Sequence, residues 1–84
     1  MRHFTSPLFW QSYSKLPPHI QNLAIVSFNK LKNQSRYPSL HLKKTGRYWS
    51  VRIGKKHRAL AVEIDLGLLW FWIGTHADYD QLIK

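Results

Sequence analysis

The chain has 84 residues, a length that builds one hydrophobic core and is too short for two. It contains no cysteine, which excludes disulfides, cysteine-based zinc sites and thiol catalysis and suits a reducing compartment. The formal net charge is +9, with only Glu63, Asp65, Asp78 and Asp80 as acids, and such an excess in a small domain points to a polyanionic partner. Hydrophobic residues make up 44% of the chain and aromatic residues 14%, so a packed core is expected and a disordered tail is not. No signal-peptide pattern opens the chain, and no apolar run reaches the roughly 18–20 residues that span a bilayer. A single cytoplasmic domain over residues 1–84, with no membrane association, is the expectation.

In chain order, His3–Thr5 can form a short edge strand. Ser6-Pro7 then reads as a helix start, because serine caps first-turn N–H groups and proline loses nothing at the first helical position. The spacing of Leu8, Phe9, Tyr13 and Leu16 predicts a short helix to about Lys15, ended by Pro17-Pro18. A second helix is predicted from Pro18 to Gln34, with Ile20, Leu23, Ala24, Phe28 and Leu31 on one face. Phe28 and Leu31 are read as core. The polar run Asn33–Ser39 reads as loop.

After Gly46 the hydrophobic period changes from helical to two. Trp49, Val51 and Ile53 share one face of a strand, with Tyr48, Ser50 and Arg52 on the other. Gly54-Lys55-Lys56 is a hairpin turn, and the next strand, His57 to Ile64, puts Arg58, Leu60 and Val62 opposite Ala59, Ala61 and Glu63. Asp65-Leu66-Gly67 is another turn. Leu68–Thr75 is apolar on both faces, as in a central strand, and His76–Lys84 is a tail able to form a helical turn. The fold class is therefore α+β: two N-terminal helices packed on a small, twisted antiparallel sheet.

The positive charge is concentrated. His41–Val62 carries Lys43, Lys44, Arg47, Arg52, Lys55, Lys56 and Arg58 and no acid. If Arg52 and Arg58 face the same way from adjacent strands, their guanidinium groups converge on a patch suited to phosphate. Lys43, Lys44 and Arg47 would extend it, and Tyr48 offers a ring for base stacking. Lys55 and Lys56 read as ordinary turn lysines. His76, directly after the last strand, can move a proton near neutral pH, and it gains interest if the sheet brings it beside Arg58. The four acids form no cluster for magnesium, so phosphodiester chemistry here is expected to use no metal and no cofactor. No phosphate-binding glycine loop, nucleophile elbow or HExxH motif occurs.

The run SLHLKKTGRYWSVRIGKKHRALAVEI, followed by LLWFWIGTHADYDQLI, resembles the RelE/ParE superfamily of toxins from type II toxin–antitoxin systems. The resemblance implies a toxin that binds an acidic antitoxin and cuts mRNA in the A site of the ribosomal 30S subunit, inhibiting translation. It implies phosphate stabilisation by Arg58 and Arg52, proton transfer by His76, and orientation of base or substrate by Tyr79. Lys43, Lys44, Arg47 and Tyr48 would then contact the RNA or the ribosome. Ser50 stands where some RelE-like nucleases carry a lysine, so their catalytic set is incomplete here. Two other readings share the fold: a ParE-like DNA gyrase poison without nuclease activity, and a degenerate module that only holds its antitoxin.

Overall fold

Period-two alternation in the C-terminal half of the chain is realised as one five-stranded sheet with strand order β1-β5-β4-β3-β2. The computed structural model describes residues 2–34 and 38–84. Its elements are β1 (Arg2–Thr5), α1 (Pro7–Ser14), α2 (Pro18–Asn33), a 3-10 turn (Pro38–Leu40), β2 (Lys43–Thr45), β3 (Tyr48–Ile53), β4 (His57–Ile64), β5 (Gly67–Thr75) and α3 (His76–Leu82). Of the connector predicted as loop, Ser35, Arg36 and Tyr37 lie outside the described residues.

The expected α+β class is what the chain forms, with two differences in the sheet: Lys43–Thr45 adds an edge strand, β2, that the sequence pattern does not predict, and the first strand is parallel to its neighbour. β2, β3, β4 and β5 pair antiparallel, but β1 runs parallel to β5, so the sheet is mixed. The helical hairpin carries the chain from β1 across one face and delivers it to the far edge. The last strand of the meander then returns beside the first strand in the same direction. Such a long-range pairing leaves no local pattern.

The helix-covered face holds the core. Phe9, Ala24 and Leu31 descend from the helices onto Val51, Ile53, Ala59, Ala61, Leu68, Trp70 and Ile73. Burial of this many aliphatic and aromatic side chains, at about 1.5–3 kcal/mol each, is the main force holding the layers together. On α2 the buried line is Ala24, Ser27 and Leu31, whereas Leu23 is 37% exposed. The face predicted for α2 is thus the one that meets the sheet, through Ala24, Phe28 and Leu31, with Ser27 buried within it and Leu23 at its exposed margin.

Trp70 anchors β1. Its indole is fully buried, packs edge-on against Phe28 at 5.4 Å, and donates from Nε1 to His3 Nδ1 at 3.0 Å. β5 also departs from strict alternation. Leu60 pairs with Trp72 and Ala61 with Trp70, so Phe71 is an extra residue in a β-bulge. The bulge lets Phe71 and Trp72 share the face away from the helices, while Trp70 and Ile73 both stay in the core. That second face is only partly covered: α3 packs against β4 and β5, and Phe71 and Trp72 remain half-buried.

Gly67 has a φ of 150°, and a Cβ there would collide with the backbone carbonyl of Arg2 across the β1–β5 pair. Gly67→Ala is expected to lower unfolding free energy by about 1–3 kcal/mol, measured by denaturant titration. Burial, then the chain's amino terminus, then Lys32 hold the His3 imidazole below its ordinary value of 6.5. The folded state therefore keeps His3 neutral where the unfolded chain would bind a proton. Stability is expected to fall as pH drops through the ordinary imidazole range, and His3→Asn to reduce that loss in thermal melts between about pH 7.5 and 5.5.

Candidate functional site

The site is built on the β3–β4 hairpin. Gly54, with a φ of 63°, sits in a turn that pairs Ile53 with His57 and places Arg52 directly across from Arg58. Both arginines are half-buried and alternate with the core residues of their strands; Arg52 also lines a groove with Leu23, Ser27 and Lys30 of α2, whereas Arg58 lies over Tyr79. Arg52 Nε donates to the Gly54 carbonyl at 3.0 Å, and Arg58 Nη1 makes a long bond of 3.4 Å to the His57 carbonyl. The ion pairs among the described residues are Lys44–Glu63 and His76–Asp80, so neither arginine is neutralised by a carboxylate. Like charges directly opposite each other across a strand pair are unfavourable, and an anion bound between them would relieve the arrangement.

α3 brings the remaining groups. Thr75 caps it by accepting from the Asp78 N–H at 3.1 Å, and the His76 N–H donates to the Lys56 carbonyl at 2.7 Å. This second bond ties the start of α3 to the hairpin turn. Tyr79, one turn on, lies over the sheet with 4% of its surface exposed. The Arg58 guanidinium carbon is 6.0 Å from the Tyr79 ring centre, and the His76 ring meets the same ring edge-on at 5.7 Å. Tyr79 is therefore the common support of Arg58 and His76. Its hydroxyl is buried beside Ser50 Oγ at 3.4 Å, so it lies beneath the site rather than on its surface.

The other predicted residues divide between the two faces. Lys43 pairs with Ser50 and stands on the arginine face. Lys44 pairs with Trp49 and stands on the opposite face, 3.6 Å from Glu63. The Trp49 indole N–H, 2.8 Å away, and then Lys44 hold the Glu63 carboxyl below its usual range. Consecutive strand residues cannot both face one ligand, so Lys43 and Lys44 do not form a joint grip. Arg47 lies 5.5 Å from the Tyr48 ring centre, and Tyr48 is 5.8 Å from Phe71. These three residues form an aromatic end of the face, four strand residues or about 13 Å from the arginine pair.

Sequence reasoning missed two participants, Asp80 and Phe71. Asp80 Oδ2 lies 3.0 Å from His76 Nδ1, a contact the four-residue spacing on a helix would have suggested. Phe71 follows Trp70 onto the open face by alternation, and the bulge, which has no signal in the sequence, keeps Trp72 beside it. Ser50, expected only as a departure from a family pattern, has a position of its own: it is 1% exposed under Tyr79, where a lysine ammonium would have no room to stay hydrated.

Two helices, a basic hairpin and a terminal helix over a mixed sheet define a RelE-type toxin fold. The solved RelB–RelE antitoxin–toxin complex from Methanococcus jannaschii contains a similar chain, with a TM-score of 0.73 and 13% identity, covering 96% of this chain and 99% of that one. A search of curated protein sequences gives no match. The family model of the ParE-like toxin domain matches residues 18–81, from α2 into α3, and the chain belongs to that family, within the RelE/ParE superfamily of toxins.

If the arginine pair is an oxyanion site, millimolar sulfate should raise the melting temperature of the native protein more than that of Arg52→Gln or Arg58→Gln. The scale is about 4–8 °C per kcal/mol of binding energy in a domain this small. General salting effects are common to all three proteins, so the difference between them, read by thermal melts, is the measurement.

Proposed function

We propose that this toxin is a metal-independent endoribonuclease that cuts mRNA on the ribosome and thereby inhibits translation. The observation that carries the reading is the opposed Arg52–Arg58 pair, free of carboxylates, with His76 held beside it through Tyr79. Cleavage of RNA without a metal needs a group to take the proton from the 2′-hydroxyl and a cationic site for the charge that builds on phosphorus. His76 suits the proton transfer, because its side chain is 44% exposed and an imidazole can exchange a proton near neutral pH. Arg52 and Arg58 suit the charge stabilisation, because guanidinium groups keep their charge and match phosphate oxygens with paired donors.

Single-stranded RNA would cross the face from the arginine pair towards Tyr48 and Phe71, with Lys43 and Arg47 along the backbone path. In this reading Tyr79 sets the positions of Arg58 and His76 instead of touching the substrate. The partner in the cell is a cognate antitoxin whose acidic segment offsets the +9 charge. The similar chain from Methanococcus jannaschii is seen in an antitoxin–toxin complex. Among the described residues no helix is long and apolar enough to cross a membrane, and we place the protein's action in the cytoplasm, where ribosomes are.

The test is induction of the toxin followed by mapping of mRNA 5′ ends. New ends within translated codons are expected, and His76→Ala or Arg58→Ala should lower cleavage by about 100-fold or more, with the circular dichroism spectrum unchanged. Intact mRNA together with inhibited gyrase supercoiling would replace the nuclease with a gyrase poison. Neither effect, with antitoxin binding retained, would leave a binding module alone.

A further inference from the structure

We propose that Asp80 is a positioning residue that holds the His76 ring with its proton on Nδ1, leaving Nε2 as the atom that exchanges a proton with RNA. The proposal deepens the nuclease reading and rests on it. His76 opens α3 and Asp80 lies one turn later on the same helix face, with Nδ1 and Oδ2 3.0 Å apart. A carboxylate can only accept, so the nitrogen facing it must be the donor. The neutral ring is then fixed as the Nδ1–H tautomer, and the lone pair sits on Nε2.

The placement of the other acids sharpens the inference. Glu63 serves Trp49 and Lys44 on the far face, Asp78 stands at the cap of α3, and Asp65 occupies the β4–β5 turn. Asp80 sits against the imidazole at the face that must draw a polyanion, where a negative charge opposes that attraction. Its one hydrogen-bond partner among the described residues is the imidazole.

The step balances with water as the only further reactant. The 2′-hydroxyl proton passes to Nε2 while the oxygen's electron pair forms the new bond to phosphorus. The P–O5′ bond breaks with its pair on O5′, which takes a proton from water. The imidazolium so formed keeps its Nδ1 proton against Asp80, whose charge compensates it, and later returns the Nε2 proton to solvent. Asparagine at position 80 could turn its amide N–H towards Nδ1 and select the opposite tautomer.

The experiment is long-range ¹H–¹⁵N NMR of the His76 ring in the ¹⁵N-labelled protein above about pH 8, where a free imidazole is neutral, paired with single-turnover cleavage of ribosome-bound mRNA. The native ring should be the Nδ1–H tautomer, and Asp80→Asn should shift it to Nε2–H. Asp80→Asn should also slow cleavage by about 10–100-fold at saturating toxin, with half-saturation unchanged, and Asp80→Glu should recover part of the rate. Exposed pairs of this kind add little to stability, so the variants are expected to fold, with thermal melts as the check. A native ring found as Nε2–H, or a tautomer and rate unchanged in Asp80→Asn, overturns the proposal. Cleavage undiminished in His76→Ala would overturn the proposal by removing the proton-transfer role of His76, whereas no cleavage by the native protein would overturn the nuclease reading, and the two failures are read from different proteins.

Discussion

The register of the β3–β4 hairpin is the constraint on which the rest of the site depends. A glycine in the left-handed region at position 54 closes the turn so that Arg52 faces Arg58 and Val51 faces Ala59. One residue of slip would send both arginines into the helix-covered core and Val51 and Ile53 out to water. The hydrophobic cost of that exchange is what holds two cations in an opposition they would otherwise avoid. The core therefore supplies the energy that keeps the charged face assembled.

α3 converts that charged face into a candidate reaction site. A threonine cap and one backbone bond to the Lys56 carbonyl fix where the helix begins, and helical geometry then fixes the rest. Tyr79 falls inward and Asp80 falls beside His76 because three and four residues are nearly one turn. The tyrosine ring is shared by an arginine from β4 and a histidine from α3, elements that do not otherwise need to meet. Its burial suits Ser50 at the centre of β3, because a hydroxyl buried there meets the tyrosine hydroxyl, whereas a lysine ammonium would lose its hydration.

The two faces of the sheet also partition the positive charge. Alternation sends Lys44 to the helix side, where Glu63 and Trp49 absorb it, and Lys43 to the arginine side. A run of basic residues in a strand thus divides its charge equally between two surfaces, and only half of it can serve one ligand. The bulge at Phe71 works in the other direction, placing two successive large side chains on one face and building an aromatic end opposite the cationic one.

Charge, composition and periodicity alone determined a small α+β domain, its two N-terminal helices, the strands β1, β3, β4 and β5, and the alternation that separates Arg52 and Arg58 from the core residues of their strands. Those features are local: each follows from spacing along a few turns of helix or one hairpin, and the β4 limits of His57 and Ile64 were legible to the residue. Only the tertiary structure decided the parallel β1–β5 pairing, the short strand β2, the bulge that puts Trp72 beside Phe71, and the contacts of Tyr79 with both Arg58 and His76. Each of these depends on which distant surfaces exclude water from one another. That free energy belongs to the assembled layers, and no stretch of sequence carries it by itself.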